Sequence, residues 1–224
     1  MAVRNTITLF LWGGMLMSCL MSNLACNTLK AKDFPEPAIH VKARAGTAKQ
    51  TVVLAGGCFW CTEAVFEQLK GVRKVTSGYA GGAPETANYE DVSSGGTDHA
   101  EAIQITYDPS EITYGQILKV FFSVAHDPTQ LNRQGPDYGR QYRSAIFYAG
   151  REQKRVAEAY IAQLEKGAIF PDPIVTEVVP LQKFYAAEEY HQDFVRLNPY
   201  EPYVMVNAIP KVEKVRKQFR GQVK

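Results

Sequence analysis

From residue 50 onward the apolar positions switch repeatedly between a spacing of two and a spacing of three to four. The run "QTVVLAGG" is short, apolar and β-branched and stops at a glycine pair, which predicts a buried strand. "FWCTEAVFEQLKG" follows with Ala64, Val65 and Leu69 on one side and Gly71 as its stop, the pattern of a helix. "VRKVTSGYAGG" reads as a second strand running into a glycine-rich loop. "AEAIQITYDP" alternates through Ile103, Ile105 and Tyr107 and reads as a third. "YGQILKVFFSVA" is helical, and "HDPTQLNRQGPDYGRQ" is a long polar loop of a length that is more often functional than accidental. The strand "YRSAIFYA" and the helix "REQKRVAEAYIAQLEKG", carrying Val156, Tyr160, Ile161 and Leu164, come next. The strand "PIVTEVVP" and a last helix "YAAEEYHQDFVRL" complete the series. This order predicts an α+β fold: a two-layer sandwich of a mixed β-sheet with flanking helices, built on a ferredoxin-like βαβ core. A doubly wound sheet is the alternative.

The chain of 224 residues, 46% hydrophobic and 21% charged, can bury one full core, and its net charge of +2 gives no basis for nucleic-acid binding. Its ends read differently. Arg4 precedes "TITLFLWGGMLMSCLMSNLAC", and the next charge is Lys30, so residues 1–26 read as an export signal. Cys19, after "LMS", and Cys26, after "NLA", are each candidates for lipidation, and "LMSC" is closer to a lipoprotein box. A plain cleaved signal without lipid is the alternative. The expected location is outside the cytoplasm, periplasmic or membrane-anchored. Residues 27–49, with Pro35, Pro37 and Gly46, read as a flexible linker. Residues 50–210 read as the folded domain and 211–224 as a basic solvated tail.

With two of the four cysteines in the export segment, the folded domain keeps Cys58 and Cys61. A disulfide across two residues constrains the unfolded chain little. A structural zinc site needs about four ligands, and neither a second Cys-x-x-Cys nor a close histidine pair is present. A c-type haem site needs a histidine where Thr62 stands. A redox pair remains, and no metal or cofactor is expected. Strand, glycine turn and cysteine at the helix start place Cys58 among free backbone N–H groups, which favours a thiolate there. Cys61 follows one turn later on the same side. Cys58 is therefore expected to be the nucleophile and Cys61 the resolving cysteine, with Phe59 and Trp60 as an apolar lining beside them.

"GGCFWCTE" resembles the signature of the methionine sulfoxide reductase A family, and so, in order, do "SGYAGG", "YEDVSSGGTDHAEAIQITYDP", "HDPTQLNRQGPDYGRQYRSAIFY" and "FYAAEEYHQDF". The resemblance implies reduction of methionine S-sulfoxide, free or in proteins, by attack of Cys58 on the sulfoxide sulfur. It implies Glu101 as proton donor to the departing oxygen, which requires a raised pKa. It also implies Tyr79 and Tyr142 as hydrogen-bonding partners of that oxygen, Asp137 as a further active-site carboxylate, and Phe59 and Trp60 as the grip on the S-methyl group. The disulfide would be re-reduced by thioredoxin or a thioredoxin-like donor, and a monomer is expected. Many members carry glycine at the position of Cys61 and resolve with C-terminal cysteines; this chain has none after Cys61. Asp98, where glycine is common, is a milder departure. His99, His126 and His191 are expected to be structural. A general thiol–disulfide oxidoreductase and a non-catalytic surface lipoprotein are the competing readings.

Overall fold

A computed structural model describes residues 34–39 and 49–224. The expected export segment, with Cys19 and Cys26, lies outside the described residues. The first part of the domain runs β1 (Gln50–Gly56), α1 (Phe59–Glu67), β2 (Val72–Ala80), α2 (Tyr89–Ser93), β3 (Ala100–Tyr107) and α3 (Tyr114–Val120). A small hairpin follows, β4 (Arg133–Gln134) and β5 (Asp137–Tyr138), then β6 (Ser144–Tyr148), α4 (Arg151–Lys166) and β7 (Glu177–Pro180). The chain ends with β8 (Phe184–Ala186), α5 (Phe194–Leu197) and α6 (Ile209–Gln218).

Six strands form one sheet in the order β7-β6-β1-β3-β2-β8. β1 and β2 both run antiparallel to β3, which lies between them, and β3 and β6 both run antiparallel to β1. The units β1-α1-β2 and β3-α3-β6 therefore interlock as two split βαβ motifs, the ferredoxin-like core expected from the element order. β7 joins β6 in parallel and makes the sheet mixed. The apolar residues of α1, α3 and α4 share one core with Leu54, Val75, Ile103 and Ile105, so these helices lie on the same face of the sheet. That arrangement excludes the doubly wound alternative. The reverse face is shallow: Val53, Ala55, Ala100, Ala102, Ala145 and Phe147 line it, and Val179, Leu181 and Phe184 cover it.

The period of two along β3 decides where the chemistry goes. Ile103, Ile105 and Tyr107 point into the helical layer, and Ala100 and Ala102 point the other way. Glu101 therefore shares the helix-facing side with Ile103, at the strand end beneath the start of α1.

Four expectations change. The last helix, expected over "YAAEEYHQDFVRL", is broken into β8, a 3-10 turn at Glu189–His191 and the four-residue α5. Pairing of Phe184–Ala186 with β2 and a left-handed Asp193 (φ 56°) outweigh helix propensity there. The long polar loop contains the β4–β5 hairpin. Residues 211–224 are not a solvated tail. α6 buries Val212 and Val215, Phe219 is 4% exposed, and Lys70 N–H donates to the Gln222 carbonyl while Lys224 N–H donates to that of Gln68. Its apolar positions at 212, 215 and 219 have helical spacing, which the charge between them obscured. Part of the linker is docked as well: Phe34 is buried edge-on against Phe170 (5.7 Å), and Tyr160 Oη donates to the Pro35 carbonyl (3.1 Å).

If the C-terminal segment belongs to the core, Phe219→Ala should cost about 3–5 kcal/mol in denaturant unfolding, the range for a buried phenylalanine. A cost within about 0.5 kcal/mol would return the segment to solvent.

Candidate active site

β1 ends in Gly56, and Gly57 turns the chain with φ +84°. A Cβ at Gly57 would sit 2.5 Å from Gln134, so neither the dihedral nor the space admits a side chain. This turn makes Cys58 the N-cap of α1, one place earlier than the sequence suggested. Cys61 lies in the first turn. Both thiols are free and buried, with Cys58 8% and Cys61 1% exposed. α1 is buried nearly all round because Val204, Ala208 and Val212 cover the side that the sheet does not.

The first free N–H of the helix does not serve the sulfur. Phe59 N–H donates to Glu101 Oε2 at 3.0 Å. Burial pushes Glu101 up to about 8, Asp137 and Cys61 add to the rise, and the Phe59 N–H opposes it. Glu101 is therefore an acid at neutral pH. The expected thiolate at Cys58 is corrected in the same way. Burial pushes Cys58 well above the ordinary thiol range, with the hydrogen bond to Cys61 and the charges of Cys61 and Glu101 adding to it. The hydrogen bond from Cys58 holds Cys61 below that range against its burial, assisted by Lys211. Of the two thiols, Cys58 holds its proton more firmly and Cys61 ionises more readily.

Cys58, Phe59, Trp60 and Glu101 border a cavity of about 190 Å³, completed by Tyr89, Asp137, Tyr142 and Tyr203. Trp60 is fixed from two sides. Its Nε1–H donates to His191 Nδ1 (3.1 Å), and its ring stacks on Phe194 with centroids 3.8 Å apart. Tyr203 Oη donates to Asp137 Oδ2 at 2.5 Å, and burial raises that carboxyl.

Six of the expected site residues thus share one cavity: Cys58, Phe59, Trp60, Glu101, Asp137 and Tyr142. Cys61 stands in a smaller pocket beside it, about 70 Å³. Tyr79 is the exception. It is fully buried behind Phe59 (centroids 5.9 Å) and its Oη donates to Glu188 Oε2 at 2.8 Å, so it does not reach the cavity. Glu188 Oε1 accepts the Tyr89 N–H (2.9 Å), and Tyr89 is the tyrosine that lines the cavity. Tyr89 stood in a motif block, but nothing in the spacing preferred it to Tyr79. Tyr203 lies 142 residues after Cys61 in an unremarked "NPYEPYV" stretch and had no sequence signal. Of the histidines, His99 bonds Gly82 N–H and the Ala83 carbonyl, and His126 bonds the Phe121 carbonyl and Ser144. His191 positions Trp60.

Residues 50–223 match the family model described as peptide methionine sulfoxide reductase, a span that includes the C-terminal segment. The chain is 55% identical over 196 residues to peptide methionine sulfoxide reductase MsrA 2 of Synechocystis, covering 87% of this chain and 92% of that protein. It is 55% identical over 170 residues to an MsrA of Haloquadratum walsbyi, covering 76% and 96%. Among solved structures it resembles reduced Mxr1 of Saccharomyces cerevisiae, with TM-score 0.62 and 32% identity over 73% of this chain and 92% of that one. It likewise resembles methionine sulfoxide reductase A of Corynebacterium diphtheriae, with TM-score 0.61 and 30% identity over 79% and 94%. With a thiol, an acid carboxyl and an aromatic wall around one cavity, and with this span of similarity, the chain belongs to the peptide methionine sulfoxide reductase family.

Proposed function

We propose that this protein reduces methionine S-sulfoxide to methionine by thiol chemistry. The observation that carries the reading is a buried cysteine sharing an aromatic-walled cavity with a carboxyl that is protonated at neutral pH. A sulfoxide has a polar oxygen on an otherwise apolar, methyl-bearing sulfur, and the cavity supplies a partner for each part. Phe59 and Trp60 take the methyl group. Glu101, with Tyr89 and Tyr142 nearby, faces the oxygen.

The Cys58 proton passes to Cys61, and the Cys58 sulfur attacks the sulfoxide sulfur while Glu101 protonates the oxygen. The sulfoxide sulfur is reduced by two electrons and leaves as the thioether. The Cys58 sulfur is oxidised by two and keeps the oxygen as a sulfenic acid. Cys61 then gives up the proton it took, and its sulfur displaces the oxygen, which leaves as water with a proton from solvent, forming the Cys58–Cys61 disulfide. A dithiol donor of the thioredoxin type returns the pair to the reduced state. The apolar stretch behind Arg4 supports export, so the donor would lie outside the cytoplasm. The mature protein should then begin at Cys19 or Cys26 if lipidated, or at a nearby cut if not. An intact Met1 without an acyl chain in the native mass spectrum would remove both forms of export.

Turnover of racemic methionine sulfoxide with dithiothreitol tests the activity directly. The S epimer should disappear and consumption should stop at about half; complete consumption of both epimers would overturn the assignment. Glu101→Gln should slow the chemical step by roughly 10²–10⁴-fold, the range for a lost general acid. The sign of the pH dependence follows from a folded pKa raised to about 8. Glu101 holds its proton below that value and loses it above, so the single-turnover rate should fall as pH rises through about 8. Glu101→Gln should lack that fall. An identical alkaline fall in both proteins would take Glu101 out of proton transfer.

A further inference from the structure

Resolution of the sulfenic acid asks something of Cys61 that its surroundings oppose. A thiol attacks as the thiolate, and Cys61 is 1% exposed, where burial disfavours charge. In the reduced pair the hydrogen bond from the Cys58 thiol is the largest influence favouring the Cys61 thiolate. Cys61 takes the Cys58 proton in the first step and must lose it again after Cys58 is oxidised, when that donor is gone. Another group has to hold the charge at the moment it is needed.

The pocket of about 70 Å³ beside the pair contains one cation, Lys211, together with Cys58, Cys61, the Asp137 carboxyl, Tyr203 and Asn207. Lys211 lies in α6, which continues without a break from the helical turn at Val204–Ala208. Its Nζ donates to the Ala125 carbonyl at 2.8 Å, so the ammonium is tethered across two elements. Among the described residues no carboxylate lies within ion-pair distance of it. The Ala125 carbonyl fixes where the ammonium sits, and the charge remains uncancelled by any carboxylate at contact. The ionisable groups around Cys61 are Cys58 on its own helix, Glu101 on β3, Asp137 on β5, Tyr203 and Lys211. Asp137 and Glu101 are acids raised by burial, and the Tyr203 hydroxyl donates to Asp137. Lys211 is the positive member of the set.

We propose that Lys211 is a positioning residue of the resolving step, its ammonium holding the Cys61 sulfur as the thiolate that attacks oxidised Cys58. The inference rests on the reductase reading above for its place in the cycle. In the step, the Cys61 sulfur forms the S–S bond with Cys58 as the S–O bond breaks. The oxygen leaves with a proton from solvent as water, and the positive charge of Lys211 is unchanged throughout. Lys211 thereby belongs to the machinery, although by charge pattern it opens a run that reads as a solvated tail.

Two measurements on the full chain test this. In a Cys58→Ser background, alkylation of Cys61 by iodoacetamide is followed across pH by peptide mass, which separates it from Cys19 and Cys26. Lys211→Met should move the alkylation midpoint up by about one pH unit, a tenfold loss of thiolate below it, and Lys211→Arg should restore it. In the otherwise wild-type chain, Lys211→Met should slow disulfide closure after one turnover about tenfold at pH 7, with recovery at higher pH. An unmoved midpoint, or a slowing that is the same at every pH and not rescued by arginine, would overturn the proposal. Absence of methionine release from the wild-type chain would instead strike the reductase reading, leaving the alkylation result to judge Lys211. If Lys211→Met does not fold, Lys211→Gln takes its place with the same outcomes.

Discussion

The backbone N–H of Phe59 and the side chain of Glu101 meet at 3.0 Å in a buried setting, and the site is organised around that contact. An unpaired N–H at a buried helix start needs a partner, and a carboxyl buried on a strand needs a donor. Each satisfies the other. The contact fixes the start of α1 over the end of β3, and with it the position of Cys58, one residue earlier. It also withholds the most available helix N–H from the cysteine, so that the carboxyl and the thiol both rest protonated in a cavity shielded from water. A thiolate stored at Cys58 would be exposed to any oxidant able to enter; a protonated Cys58 is activated only when its proton passes to Cys61.

The remainder of the site is held by contacts between distant parts of the chain. Trp60 is fixed by His191 and Phe194, Asp137 by Tyr203, and Tyr79 and Tyr89 by Glu188. The segment after residue 184 thus supplies the outer wall of a site whose reacting groups come from α1 and β3. Its own elements are short: β8 has three residues and α5 four. It is ordered by what it touches, and its helical turn at Val204–Ala208 and α6 close over the cysteine side of α1.

This division explains what could be read from the sequence. The alternation of β3 and the glycine-ended run of β1 are local signals for the two strands, while the role of Glu101 comes from the resemblance and its nearness to the cysteines from the pairing of β1 with β3. Tyr203 and Lys211 depend on a tertiary fold that brings residues more than 140 positions after Cys61 back to it, and no local period encodes that. Tyr79 and Tyr89 are told apart by tertiary contacts, the Glu188 carboxyl taking the ring hydroxyl of one and the backbone N–H of the other. Residues 211–224 read as solvated because lysines and arginines between apolar positions hide a buried face.

Infrared difference spectroscopy of the wild type against Glu101→Gln tests the central claim most directly, because it reads the protonation state of one carboxyl without substrate. At pH 7 the difference spectrum should show the C=O stretch of a protonated carboxylic acid, converting to carboxylate bands as pH rises through about 8. Carboxylate bands at pH 7, with no protonated C=O stretch assignable to Glu101, would contradict the account.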